Sequence, residues 1–192
     1  MFLIFQDRPS DSPFIERVWR CHSERAGRFS SVASSHWEMV VTRRRGRTTV
    51  TLRGPETRAT PIDCPEGEWL GVRFKLGAFM PLLPVARLID RQDVTLPSAD
   101  KRSFWLDDRA WELPSFENAE DLVSGLAKNA VIARDSAVEA ALQGDRGALS
   151  LRSRQRHFLR GTGMTHGLFR QIERAPCGQP AEVRSLDRRH RP

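Results

Sequence analysis

Between Phe29 and Lys75 the apolar positions fall in short runs of strand length: Phe29–Val32, Trp37–Val41, Thr48–Leu52 and Trp69–Phe74. Arg45-Gly46-Arg47, Arg53-Gly54-Pro55 and Pro65-Glu66-Gly67 stand between them, and such residues turn a chain back on itself. The pattern predicts a small antiparallel β-barrel or sandwich. Asp93–Leu96 and Phe104–Leu106 complete its edges, and Pro81, Pro84 and Pro97 mark turns. After Pro114 the period lengthens. Phe116, Ala119, Val123, Leu126 and Ala130 recur at helical spacing behind Ser115 as a candidate N-cap, and Ala137–Leu142 forms a shorter helix introduced by Asp135. The fold class expected is α+β, strands first and helices second, with a β-rich domain over residues 1–113 and a helical connector over 114–147. Residues 143–147 are polar and contain glycine, as a linker does.

Beyond that linker the pattern is helical and basic. Ser150 caps a helix that runs through Arg160, and Gly161-Thr162-Gly163 stops it. Arg152, Arg156 and Arg160 fall at i, i+4 and i+8, so one stripe carries guanidinium throughout, with Ser153 and Gln155 beside it and Leu151, Phe158 and Leu159 opposite. Arginine can read guanine bidentately or hold phosphate and glutamine can read adenine, which is the chemistry of a major-groove helix. Thr165 then caps a second helix, from His166 to about Ala175, with Leu168 and Ile172 as its apolar seam and Arg170 and Arg174 outside. Two helices joined by a tight glycine-containing turn make a helix-turn-helix-like unit over residues 148–175, and residues 176–192 read as a disordered basic tail.

Charge sharpens this picture. The 192 residues carry a net charge of +7, but its placement is uneven. Residues 146–192 hold 11 arginines against three acidic residues, whereas residues 1–145 hold 20 basic and 21 acidic groups. A near-neutral body with a basic end is the electrostatic footprint of a nucleic-acid reader, because each guanidinium that meets a phosphate releases condensed counterions. Hydrophobic residues make up 39% of the chain, with ten Phe and five Trp for a core, so the body is not expected to be disordered. Cys21, Cys64 and Cys177 are odd in number and in no CxxC spacing, which excludes a disulfide framework and a thiolate zinc site. The apolar start, Met1–Phe5, is too short for a signal sequence or a membrane span, so the expected location is the cytoplasm and no membrane partner is expected.

The run Leu149-Ser150-Leu151-Arg152-Ser153, then Gln155-Arg156, Phe158 and Thr162-Gly163-Met164-Thr165, resembles the AraC/XylS signature, in which a serine-capped recognition helix ends in Thr-Gly and a long linker helix follows. The resemblance covers roughly residues 135–175. It implies a transcription regulator whose recognition helix enters the major groove, and a cupin-like N-terminal barrel that senses a small-molecule effector or forms a homodimer. It makes DNA the partner and Arg152, Ser153, Gln155, Arg156, Arg160, Thr165, His166 and Arg170 the expected contacts. Arg154 departs from the family pattern, since an apolar residue is usual there and the position falls between Leu151 and Phe158 on the packing side. The family also carries a second helix-turn-helix. Here helical periodicity stops at Pro176, and the tail reads as a frame-shifted, truncated form of the usual continuation.

Two alternatives stand beside this reading. One is a fragment that acts only through its N-terminal domain, by ligand binding or dimerisation. The other is a cupin-like metal enzyme, with His36 and Glu38 on one face of the strand around Trp37. His22 is the only other histidine in that half, so a structural role for His36 is favoured and no metal is expected. Trp69, Phe74, Phe79 and Trp105 are candidates for a ligand pocket, although aromatic core is the commoner meaning of such residues. Arg43, Arg44, Arg45 and Arg47 could touch phosphate, with a solvated hairpin turn as the favoured alternative. No phosphate-binding glycine loop, GxSxG elbow, HExxH or paired Cys/His motif is present, so neither a catalytic function nor a cofactor is expected.

Overall fold

The computed structural model describes residues 3–90, 94–144 and 150–174. Its strands are β1 (Leu3–Pro9), β2 (Ile15–Ser23), β3 (Gly27–Ser31), β4 (Glu38–Arg44), β5 (Arg47–Arg53), β6 (Thr60–Cys64), β7 (Gly67–Phe74), β8 (Ala78–Phe79), β9 (Val94–Leu96), β10 (Ser103–Leu106), β11 (Arg109–Glu112) and β12 (Ala133–Arg134). The helices are α1 (Ala119–Lys128), α2 (Ser136–Leu142), α3 (Leu151–Thr162) and α4 (His166–Arg174), with a single 3-10 turn at Val85–Arg87. The order is strands first and helices second, so the α+β expectation holds. Among the described residues no helix is long and apolar enough to cross a membrane. The tail from residue 176 and most of the linker lie outside the described residues.

The strands do not close into a barrel. Six of them form one open antiparallel sheet in the order β1-β2-β7-β4-β5-β9, and three two-stranded ribbons, β3–β6, β10–β11 and β8–β12, lie apart from it. Closure needs two long edges that can exchange backbone hydrogen bonds at a common tilt. Here β9 is followed by Pro97 and β1 ends at Pro9, and among the described residues no ladder joins these two edges. The strands β1 and β2 have no counterpart in the sequence expectation, which begins at Phe29. Four of the seven β1 residues in a row are exposed, and a bulge between Ile15 and Arg17 interrupts the alternation of β2, so neither shows a clean period of two.

The core lies against one face of the sheet. Val18, Met39, Val41, Leu52, Leu70, Val72 and Phe74 meet Ala119, Val123 and Leu126 of α1 and the loop residues Met80, Val85 and Leu88. Trp37 stacks on Phe74 with ring centroids 3.8 Å apart, and its indole N–H donates to the Ala78 carbonyl at 2.7 Å. Of the four aromatics considered for a ligand pocket, Phe74 and Phe79 are buried in this core, Trp69 is half buried on β7 and Trp105 is 45% exposed on the β10–β11 ribbon. The helix α1 starts three residues later than Ser115 suggests, because Ser115 Oγ accepts the Glu117 and Asn118 N–H groups in a preliminary turn and Asn118 takes the cap position. Arg8 ties β1 to α1 through both oxygens of Glu120, at 2.7 and 2.8 Å, and this contact holds the Glu120 carboxyl down to about 2.

Candidate nucleic-acid interface

Local chemistry builds the helical end as the sequence suggests. Ser150 Oγ accepts the Ser153 N–H at 3.2 Å, and α3 stops at Gly163, whose φ of +77° favours glycine and whose N–H closes back on the Leu159 carbonyl. Thr165 Oγ1 accepts the Leu168 N–H at 3.3 Å and opens α4. Inside this turn Thr162 Oγ1 donates to the Phe158 carbonyl at 2.7 Å, and Met164 is buried beneath it. Phe158 is buried against the His166 and Phe169 rings, at centroid distances of 3.8 and 5.5 Å. As expected, Ile172 and Leu168 form the inner seam of α4, with Arg170 and Arg174 outside.

The pair leaves a cleft of about 650 Å³ between the N-terminal half of α3 and the first turn of α4. Arg152, Ser153, Gln155, Arg156, Thr165 and His166 all line it, so six of the eight expected DNA-contacting residues come together. Arg152, Gln155 and Arg156 are exposed, and among the described residues no carboxylate lies within ion-pair distance of either arginine. Two helix N-termini also open onto the cleft, each with unsatisfied N–H groups and the positive end of a helix dipole. Partial burial, helped by the Arg170 and Arg154 guanidiniums, holds His166 below the usual histidine range, so it is a neutral donor or acceptor at pH 7.

The other two expected residues lie elsewhere. Arg170 is exposed on α4 and does not line the cleft, whereas Arg160 turns to the body, 4.8 Å over the Phe79 ring and 3.6 Å from Asp135 Oδ2. Asp135, 7% exposed, does more than start a helix, the one role its place in the sequence suggests. One of its oxygens accepts the Ala137 N–H at 3.1 Å as the α2 cap, and the other accepts from His157 Nδ1 at 2.8 Å. A single carboxylate thus clips α3 to α2. Gly161 and Gly163 complete the docking, because a Cβ at these positions would lie 2.7 Å from Val138 and 2.8 Å from the Ala86 nitrogen. Leu151 and Leu159, expected on the packing side, are 64% and 46% exposed. The buried stripe of α3 runs through Phe158, Gly161 and Thr162, so Leu151 lies two turns beyond Phe158 and Leu159 turns toward the cleft.

Arg154 does fall on the packing side: it is half buried, and its Nε is shielded from solvent without a hydrogen-bond partner. Leaving a donor unsatisfied costs about 1–3 kcal/mol, more than the few tenths by which valine is the poorer helix former. Arg154→Val is therefore expected to raise the melting temperature by about 2–4 °C, the shift that roughly 1 kcal/mol gives a chain of this size. A lower melting temperature in differential scanning calorimetry would show that the outer guanidinium nitrogens hold the helix in place.

His36 is tied to the far end of α4. Its Nε2 lies 3.2 Å from Glu16 Oε2, and its Nδ1 lies 3.2 Å from Ser35 Oγ, which donates to Glu173 Oε1 at 2.7 Å. Burial pushes the His36 pKa down against the opposing pull of Glu16. Glu38 instead pairs with Arg73 on β7, so His36 and Glu38 do not share a ligand set. Among the described residues no group of three or more His, Cys, Asp or Glu side chains is placed to hold a metal ion. Comparison with protein-family models, with curated proteins and with solved structures finds no match. The functional reading therefore stands on the chemistry of the cleft.

Proposed function

We propose that this chain is a DNA-binding transcription regulator of the AraC type, with α3 as its major-groove reader. One observation carries the reading: Arg152, Gln155 and Arg156 stand exposed and side by side on α3, and the two arginines are free of carboxylates in a cleft flanked by two helix N-termini. A major groove about 12 Å wide admits such a helix, where Arg can take guanine O6 and N7 and Gln can take adenine N6 and N7. Ser153, Thr165, His166 and Arg170 then serve the phosphates on either side, and Arg160 holds the reader to its support. In this reading the sheet-rich body is the sensing or dimerising half of a cytoplasmic regulator.

The test is an anisotropy titration of the full chain against a labelled duplex pool over a series of salt concentrations. Affinity should fall steeply with salt. Each phosphate neutralised by an arginine adds about 0.9 to the slope of log K against log salt, so the slope should drop by about 2 in the Arg152→Ala/Arg156→Ala variant. If either side chain reads a base instead, the variant should lose about 1–3 kcal/mol of discrimination at that position. Unchanged affinity and slope would overturn the assignment.

A further inference from the structure

The β4–β5 hairpin carries Arg43, Arg44, Arg45 and Arg47 around Gly46 at its tip, all exposed and, among the described residues, none in an ion pair. Two features there run against stability. Arg45 and Gly46 have φ of +48° and +74°, the two-residue turn whose first position favours Asn, Asp or Gly, yet an arginine occupies it. Arg44 lies directly opposite Arg47 in the hairpin register, and like charges so placed repel. Arg43 lies opposite Glu68 of β7 in the sheet register, and the Glu68 carboxylate lies 3.9 Å from His22 Nδ1.

These four arginines line a concavity. The hairpin and the Pro65–Glu68 turn enclose a cleft of about 550 Å³, within the usual range for small-molecule sites. Glu66 and Glu68 are its only acidic lining, so four cations against two carboxylates leave an excess of two positive charges. The cleft is also remote from the reader. The strand β7 runs from Gly67, at the cleft, to Phe74, three residues before the Gly77 against which Gly161 of α3 abuts. The seven steps along this extended strand separate its two ends by roughly 23 Å. A cleft of this size fits a compact polyanion better than a duplex.

We propose that the β4–β5 hairpin cleft binds a small polyanion with two or more adjacent phosphate groups, held by the forked N–H donors of Arg43, Arg44, Arg45 and Arg47. Two linked phosphates bring several acceptor oxygens within reach of opposing guanidiniums, and the bound anion removes the repulsion between Arg44 and Arg47. The proposal does not depend on the DNA-reading assignment.

Isothermal titration calorimetry of the full chain with sodium tripolyphosphate, orthophosphate and a nucleoside triphosphate tests it. Tripolyphosphate should bind one to one, and at least tenfold more tightly than orthophosphate. Binding of the nucleoside triphosphate tenfold above tripolyphosphate would assign the source as a nucleotide, and equal binding would assign a free polyphosphate; both support the site. Arg45→Gly and Arg44→Thr/Arg47→Thr should each weaken tripolyphosphate binding tenfold or more while raising the melting temperature, since each relieves strain or repulsion. A purely structural role predicts a lower melting temperature. The proposal fails if tripolyphosphate does not bind, if the hairpin variants bind it unchanged, or if Arg152→Ala/Arg156→Ala abolishes the binding instead. Loss of duplex affinity in the hairpin variants would also overturn it, by making nucleic acid the occupant.

Discussion

Gly163→Ala is expected to destabilise the chain by about 3 kcal/mol or more and to free the α3–α4 pair from the body. Two costs coincide at this position. A left-handed backbone costs a residue with a side chain roughly 1–2 kcal/mol, and φ here is +77°. The new Cβ would also fall 2.8 Å from the Ala86 nitrogen and 2.9 Å from the Val85 carbonyl carbon, and these are backbone atoms that no rotamer change moves aside. The helix must then retreat from the 3-10 turn that supports it. Gly144→Ala isolates the backbone cost, because Gly144 has φ of +78° and open space where its Cβ would be. In thermal unfolding followed by circular dichroism, about 2–4 °C per kcal/mol gives a fall of roughly 6–12 °C or more for Gly163→Ala and roughly 2–8 °C for Gly144→Ala. Equal shifts would mean that the close approach to Val85 and Ala86 contributes nothing.

Asp135→Ala is expected to cost about 2–4 kcal/mol, from losing a helix cap worth about 1 kcal/mol and a charge-assisted hydrogen bond worth about 1.5–3 kcal/mol. The carboxylate is 7% exposed and serves Ala137, His157 and Arg160 together, so no other acceptor replaces it at once. Asp135→Asn keeps the cap oxygen and the shape but not the charge, and should recover about 1 kcal/mol of the loss, the worth of the cap. Chemical denaturation of the two variants beside the wild type measures both steps. If α3 reads DNA as proposed, the alanine variant should also bind it more weakly, because α3 loses its tie to α2. Full stability in Asp135→Ala would show that the clip through His157 is not what holds α3.

Much of the helical end is legible residue by residue because its determinants are local. The Ser150 and Thr165 caps act over three residues, the Gly163 stop is set by its own φ, and the spacing of Arg152 and Arg156 follows from 3.6 residues per turn. Asp135 likewise reads as a helix start from its type and place alone. The Ser115 cap fails within the same logic: its hydroxyl finds two N–H groups as expected, but they belong to a turn that precedes the helix.

By itself, the sequence determined that strands precede helices, where α2, α3 and α4 begin, and that Arg152 and Arg156 lie one turn apart on α3. These depend on periodicity and on hydrogen bonds between near neighbours. Only the tertiary structure decided that the six-stranded sheet stays open, since closure depends on whether two edges far apart in sequence can meet. The same holds for Arg160, which belongs to the arginine stripe by spacing yet is drawn to Phe79 and Asp135. It also holds for His36, joined through Ser35 to a glutamate 137 residues away. A side chain's spacing places it on a face of its element, but its partner is chosen by whatever the rest of the chain packs against that face.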